Sequence, residues 1–140
     1  MEPTTKNNKK ILNFIYHLNS IIKREKWIPA YDRDTDSLSF RLPKLSNSAR
    51  IIYLDDEIAL YLNEDKDVEG IFIEYFKSNF IKHHRELKKI AKDIDRKEDK
   101  ESSIINLEEM QSGEILPKFE KIVKTSLLEN IQFRGIGVNT

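Results

Sequence analysis

Asp32, Asp34 and Asp36 alternate along the chain, as oxygen ligands do at positions one, three and five of a calcium loop. Such a loop also needs glycine at position six for its sharp turn and a bidentate glutamate at position twelve. This chain has Ser37 and Pro43 there. A second set, Asn63, Asp65 and Asp67, does have Glu74 at the twelfth position, but Val68 stands where the glycine belongs. Aspartates that make turns and lead into strands account for both sets, so no EF-hand is expected. The adjacent His83 and His84 would point about 100° apart on a helix and could not share a metal ion, whereas a helical zinc site uses histidines four apart. A helical projection puts His83 on the apolar side and His84 at its border, which predicts structural histidines. His17 lies far off in sequence, on a polar flank of the first helical segment.

The remaining catalytic and cofactor patterns fail as well. The four glycines are Gly70, Gly113, Gly135 and Gly137, and none opens a phosphate-binding loop. Gly135-Ile136-Gly137 has no helix after it, and no Gly-x-Ser-x-Gly elbow is present. With no cysteine, disulfides, thiolate metal sites and thiolate nucleophiles are excluded. The expectation is a non-enzymatic protein with no cofactor and no bound metal. One charged feature remains. Lys82, Arg85, Lys88, Lys89 and Lys92 fall on one side of an expected helix, able to run along a phosphate backbone or meet an acidic protein surface. A solvated helix face is the plainer explanation, and so is docking against the acidic turns of the same chain.

Those residues must be placed by a chain of 140 residues, long enough for one domain with its own core. Its 24 basic and 24 acidic side chains cancel, but not evenly along the sequence. Residues 1–30 carry a net +4, residues 31–77 a net −5, residues 78–100 a net +3 and residues 101–140 a net −2. Segments of opposite sign can dock on one another. A nucleic-acid binder usually shows an overall basic excess, which is absent here. No apolar run approaches the roughly 18 residues of a membrane span, and a cytoplasmic location is the expectation.

Ile11, Phe14, Ile15, Leu18, Ile21 and Ile22 repeat with the period of one helical face. They predict a helix over 7–26 that Pro29 stops. Four strands are then predicted within 31–77. Leu38, Phe40 and Leu42 alternate with Ser37, Ser39 and Arg41, as a half-wet strand does. Residues 50–54 are rich in β-branched and aromatic side chains; Ile58, Leu60 and Leu62 alternate with Ala59 and Tyr61; and 68–76 makes a longer strand. Gly70 within it predicts a bulge or a close approach of backbone. Hairpin spacing makes these an antiparallel meander. A basic amphipathic helix is predicted over 78–96, capped by Ser78 or Asn79, with Ile81 alone among its basic residues. Residues 97–116 read as a linker in which the state of Ile104–Leu107 is open. A third helix covers 117–131 with Pro117 in its first turn, and 132–140 is a tail or an added edge strand.

Residues 31–73 resemble a family of small bacterial and archaeal antiparallel domains of unknown function. The likeness runs through Tyr31-Asp32, Asp36, Leu38 and Phe40, the acidic tip Asp55–Asp56, the acidic turn Glu64–Asp65 and Val68-Glu69-Gly70-Ile71-Phe72-Ile73. The family carries glycine in the acidic turn where this chain has Lys66, and the helices on either side exceed its pattern. The resemblance implies a small antiparallel sheet without established enzyme activity. It also implies, from members that look like partner halves of toxin pairs, a neutralising or regulatory role.

The fold class expected is therefore α+β in a single domain: an N-terminal helix, a four-stranded antiparallel meander and two C-terminal helices. One sheet face packs on helices and the other is partly wet. Tyr53 and Tyr61, with Phe72 or Tyr75 according to register, then form a contact surface. The expected function is a protein-interaction or regulatory module, with another protein or a second copy as partner and no membrane. The alternative is nucleic-acid binding through Lys82, Arg85, Lys88, Lys89 and Lys92.

Overall fold

A computed structural model describes residues 4–97, 102–107, 110 and 115–134 of the chain. The predicted first helix is two: α1 (Thr4–Tyr16) and α2 (Leu18–Glu25). They part at His17, whose backbone leaves the helical region (φ −118, ψ 24). The apolar stripe survives the break, because Ile11, Phe14, Ile15, Leu18 and Ile22 are all buried. The freed amide of Asn19 in the first turn of α2 donates to Glu120 Oε2 at 3.2 Å. Lys26 ends α2 in the left-handed region (φ 56). The Trp27 amide folds back to Ile22 O at 3.1 Å, an arrangement that closes helices and turns the chain sharply. Trp27 is thereby delivered into the core, stacked on Phe14 with ring centroids 5.5 Å apart.

Six strands follow among the described residues, two more than predicted: β1 (Ile28–Asp32), β2 (Ser37–Arg41), β3 (Arg50–Tyr53), β4 (Ile58–Leu62), β5 (Val68–Ile73) and β6 (Ile104–Asn106). All pairings are antiparallel, in the order β3-β4-β5-β2-β1-β6. The α+β class with an antiparallel sheet holds, and the simple meander is corrected. β3, β4 and β5 do meander, but β2 pairs with β5 rather than β3, so residues 42–49 carry the chain from the middle of the sheet to its edge.

β1 contains Pro29, which cannot donate to a ladder. Its carbonyl accepts from Leu107 N at 3.0 Å, so its N-side faces β6 where that strand has already ended. The missing donor therefore costs no bond with β2. β6 corrects the expected linker: three residues are too few for alternation to announce a strand. It is held by pairing with β1 and by Arg33 N to Ser103 O at 2.8 Å.

The predicted helix over 78–96 is the largest local correction. A π-turn (Phe76–Phe80) leads into a single α-turn, α3 (Ile81–His83). His84 breaks it (φ −135, ψ 75), and a 3₁₀ turn (Arg85–Leu87) runs into α4 (Lys88–Lys97). In the π-turn Ile81 N reaches Phe76 O, which adds one residue to the turn and rotates the next residues about the helix axis. Ile81 is buried for that reason, instead of lying among the basic side chains. Neither Ser78 nor Asn79 caps this start. Asp36, in the left-handed region (φ 53) at the end of the β1–β2 turn, does so from far along the chain. Its carboxylate accepts from Lys77 N at 2.8 Å, Ser78 N at 3.2 Å and Ser78 Oγ at 2.7 Å.

The last helix, α5 (Ile115–Arg134), contains the predicted 117–131 with Pro117 in its first turn. Residues 132–134, expected to begin a tail or edge strand, instead finish this helix, and the rest of that expected tail, 135–140, lies outside the described residues. Phe119 of α5 meets Phe40 of β2 with centroids 5.1 Å apart. One face of the sheet, with Tyr31, Leu38, Phe40, Ile58, Leu60, Ile71, Ile73 and Ile105, closes the core together with the helices. No described helix is long and apolar enough to cross a membrane.

Candidate functional site

Side chains alternate along a strand, so the residues between those core positions occupy the opposite face. No described helix covers it. Register places Ile51 beside Tyr61 and Gly70, and Tyr53 beside Ala59, Phe72 and Ser39. Ser37 and Arg41 continue the row on β2. The tyrosines singled out from sequence are thus brought together, and the register selects Phe72 over Tyr75 as their companion. Phe72 is buried beneath them. Tyr61 lies 5.4 Å from it in a tilted contact, and Tyr53 meets it edge-on at 6.0 Å. Tyr53 is half exposed, as is Ile51. The Tyr53 hydroxyl donates to Glu74, and that bond holds the phenol's pKa above its usual range. Tyr75, at the start of the π-turn, is separate and exposed.

Gly70 makes the floor of this face. A Cβ there would lie 2.6 Å from Arg41 Cβ, 2.9 Å from Phe40 O and 2.9 Å from Tyr61 Cδ2. Only a residue without a side chain lets the Tyr61 ring lie down across β5. The predicted bulge is found beside it, where the β4–β5 register shifts between Tyr61 and Leu62. The result is a shallow groove of about 460 Å³, with Tyr53, Tyr61, Phe72 and Ile51 along one flank and Ser37, Ser39 and Thr35 along the other. Arg41 lies toward one end of it and Asp32 and Glu74 toward the other. Such a surface offers aromatic area, hydroxyl groups and charges of both signs.

Beneath the bulge the buried Glu69 collects Ser46 N at 2.8 Å, the Ser46 hydroxyl, and Asn63 Nδ2 at 3.0 Å. Burial pushes its pKa up, but the hydrogen bonds from Ser46 and Asn63 outweigh that and leave it lowered. The residue ties the crossing segment 42–49 to the sheet. Asp36 shows the same balance: burial opposes its charge, while the bonds from Tyr31, Ser78 and Lys77 keep its pKa low. Sequence reasoning missed both roles, since Ser46, Lys77 and Ser78 lie far along the chain from the carboxylates they bond.

The two aspartate sets are turns. Asp32 accepts from Asp34 N at 2.9 Å, Asp36 faces its helix, and Asn63 Oδ1 accepts from Asp65 N at 2.9 Å and Asp67 N at 3.0 Å. Among the described residues no group of three or more His, Asp or Glu is placed to hold a metal ion. Lys66 adopts φ 69, the left-handed region that favours glycine. The histidines exchange their expected places. His83 is exposed, its Nδ1 3.0 Å from Asn79 O, and His84 is half-buried with its ring 4.5 Å from Phe80. The break at His84 rotates the two away from a continuous helical projection.

The basic residues are split by the same break. Lys82 precedes it; Arg85, Lys88, Lys89 and Lys92 follow. All five are exposed. Charge pairing within the chain occurs elsewhere, between Lys10 and Asp67 at 3.0 Å and between Lys77 and Asp95 at 2.6 Å. Comparison with known proteins returned no matching family model, no matching curated protein and no matching solved structure.

Proposed function

We propose that this chain is a non-enzymatic protein-interaction module, acting as a regulatory or neutralising partner of another protein through the uncovered face of its sheet. The observation that supports the reading is the cluster of Tyr53, Tyr61 and Phe72 on a face no described helix covers. Tyrosine suits such a role because it offers broad apolar area with a polar tip and has little side-chain freedom to lose on binding. The likeness of residues 31–73 to small domains, some of which look like partner halves of toxin pairs, points the same way.

The test is capture of partners from the source lysate with the wild-type chain and with Tyr61→Arg, both nuclease-treated. A protein held by the wild type and released by Tyr61→Arg, with the variant still folded by circular dichroism, supports the reading. Equal capture by both proteins contradicts it.

A second reading, nucleic-acid binding, is favoured by the exposure of Arg85, Lys88, Lys89 and Lys92 with no described acidic side chain paired to them. It predicts affinity for single- or double-stranded oligonucleotides that falls by roughly one log unit per phosphate contact for each tenfold rise in salt. Lys88→Glu with Lys89→Glu should abolish it. Binding unchanged by that pair of substitutions rejects the second reading.

A further inference from the structure

The two edges of the sheet are finished differently. In an antiparallel ladder alternate residues turn both backbone groups toward one neighbour. At the β6 edge, Ile105 faces β1, in step with the bonds Leu107 N to Pro29 O and Arg33 N to Ser103 O, so Ile104 and Asn106 face outward. Their groups are engaged by the chain itself. Ile104 N and O both meet the Ser102 hydroxyl at 3.1 Å, and Asn106 O accepts from Lys97 Nζ at 2.9 Å. A lysine laid on a short edge strand is a recurring guard against further pairing.

β3 has no such guard. Leu54 N donates to Ile58 O at 2.8 Å, which sets Leu54, Ile52 and Arg50 facing β4 in the observed register. Ile51 and Tyr53 therefore turn their amides and carbonyls outward, and no described group takes them. The strand Arg50-Ile51-Ile52-Tyr53 holds neither lysine nor proline, pairs with β4 without a bulge, and is exposed at every position.

We infer that β3 is the interface of a symmetric dimer, in which the β3 strands of two copies pair antiparallel and join the two six-stranded sheets edge to edge. The strand is its own complement. Antiparallel neighbours share a face, so the two-fold axis must pass through a residue. Centring it on Ile52 sets Ile51 opposite Tyr53 of the second copy, twice. Each such pair exchanges both of its backbone hydrogen bonds, which engages the outward groups of both residues. Ile52 meets its own copy on the helix side, and Ile51 packs against the second Tyr53 on the open side. Charge completes the match. Arg50 precedes the strand's apolar residues and the exposed Asp56 follows them. Antiparallel pairing carries each Arg50 diagonally toward Asp56 of the other copy, and neither residue has an ion-pair partner among the described residues. An isologous contact of this kind closes on itself and stops at two copies.

Sedimentation equilibrium of the full chain from micromolar to millimolar concentration tests this. The wild type is expected to follow a monomer–dimer equilibrium. Ile51→Pro and Tyr53→Pro each remove an outward N–H that the monomer does not use, and should leave a folded monomer. Arg50→Asp should weaken association about tenfold or more through like-charge repulsion, and adding Asp56→Arg should restore it. That charge swap tests the contact independently if the proline variants do not fold. Tyr61→Arg, on the open face one strand in from the edge, should leave the backbone pairing and the dimer intact. A wild type that stays monomeric throughout, a dimer that survives both prolines, or one lost only in Tyr61→Arg would each overturn the inference.

Discussion

Gly70 shows how one missing side chain sets the shape of a surface. Three atoms, one of them the Phe40 carbonyl oxygen, stand within 3 Å of where its Cβ would be. Gly70→Ala must therefore push Arg41 or Tyr61 away or part β2 from β5. A loss of about 1–3 kcal/mol in urea unfolding is expected, the cost of overpacking a fitted site. Asp36 carries two demands at once, a left-handed backbone and a carboxylate that caps a helix. Asp36→Ala should cost about 2 kcal/mol, since it loses the cap and keeps the strain. Asp36→Gly should cost less, by roughly 0.5–1 kcal/mol, because the strain is relieved, and the same unfolding series measures both. Gly70 was legible in the sequence, since a lone glycine inside a strand pattern has few explanations. Asp36 was not: its spacing spoke of a turn, and nothing local revealed that its carboxylate serves a helix start across the chain.

Among the elements, the strands with strict alternation were readable, β2 and β4 above all. The added strands escaped for opposite reasons, β1 because Pro29 reads as a stop and β6 because three residues carry no period. The segment from Phe76 to Lys97 resembles one helix in sequence because its apolar spacing is helical on average. Its break goes with a long-range clamp, that of Asp36 on the π-turn, and with a local contact, the His84 ring against Phe80. Burial lowers the pKa of that ring, with Glu86 and Glu57 pulling it back and His83 adding to the lowering. A histidine whose folded pKa is depressed contributes stability above its ordinary range and loses it as pH falls, because the unfolded chain takes up the proton first. Between about pH 7.5 and pH 5.5 the wild type should therefore lose melting temperature relative to His84→Gln, whose side chain stays neutral. Parallel melting curves for the two proteins would remove His84 from the account.

For the whole molecule, the order of the strands was the least readable property, since pairing β2 with β5 rather than β3 is decided by burial shared with helices from both ends of the sequence. α1 and α2 belong to the same core as α5, and Phe119 of α5 covers Phe40 in the middle of the sheet. A chain ended after Lys97 keeps five strands and most of the helices, but it uncovers Phe40 and the outer side of β1. It is expected to lose cooperative thermal unfolding, followed by near-ultraviolet circular dichroism, because the central core side chains would then face water. Cooperative melting of that shortened chain would show that the core closes without α5 and β6. The open face with Tyr53 and Tyr61 was legible in outline from alternation, whereas the groove and the bare edge at β3 required the register.

The crossing segment leaves a trace in time as well as in space. Ser46 lies outside every regular element, yet its amide is bonded to the buried carboxylate of Glu69. In heavy water that proton should outlast those of neighbouring loop residues and exchange on the schedule of the sheet's interior, since the bond opens only when β5 lets go. Ser46 would then act as a clock for the joint that threads one half of the sheet to the other. An amide there that exchanged as fast as its neighbours would mean that the joint opens on its own.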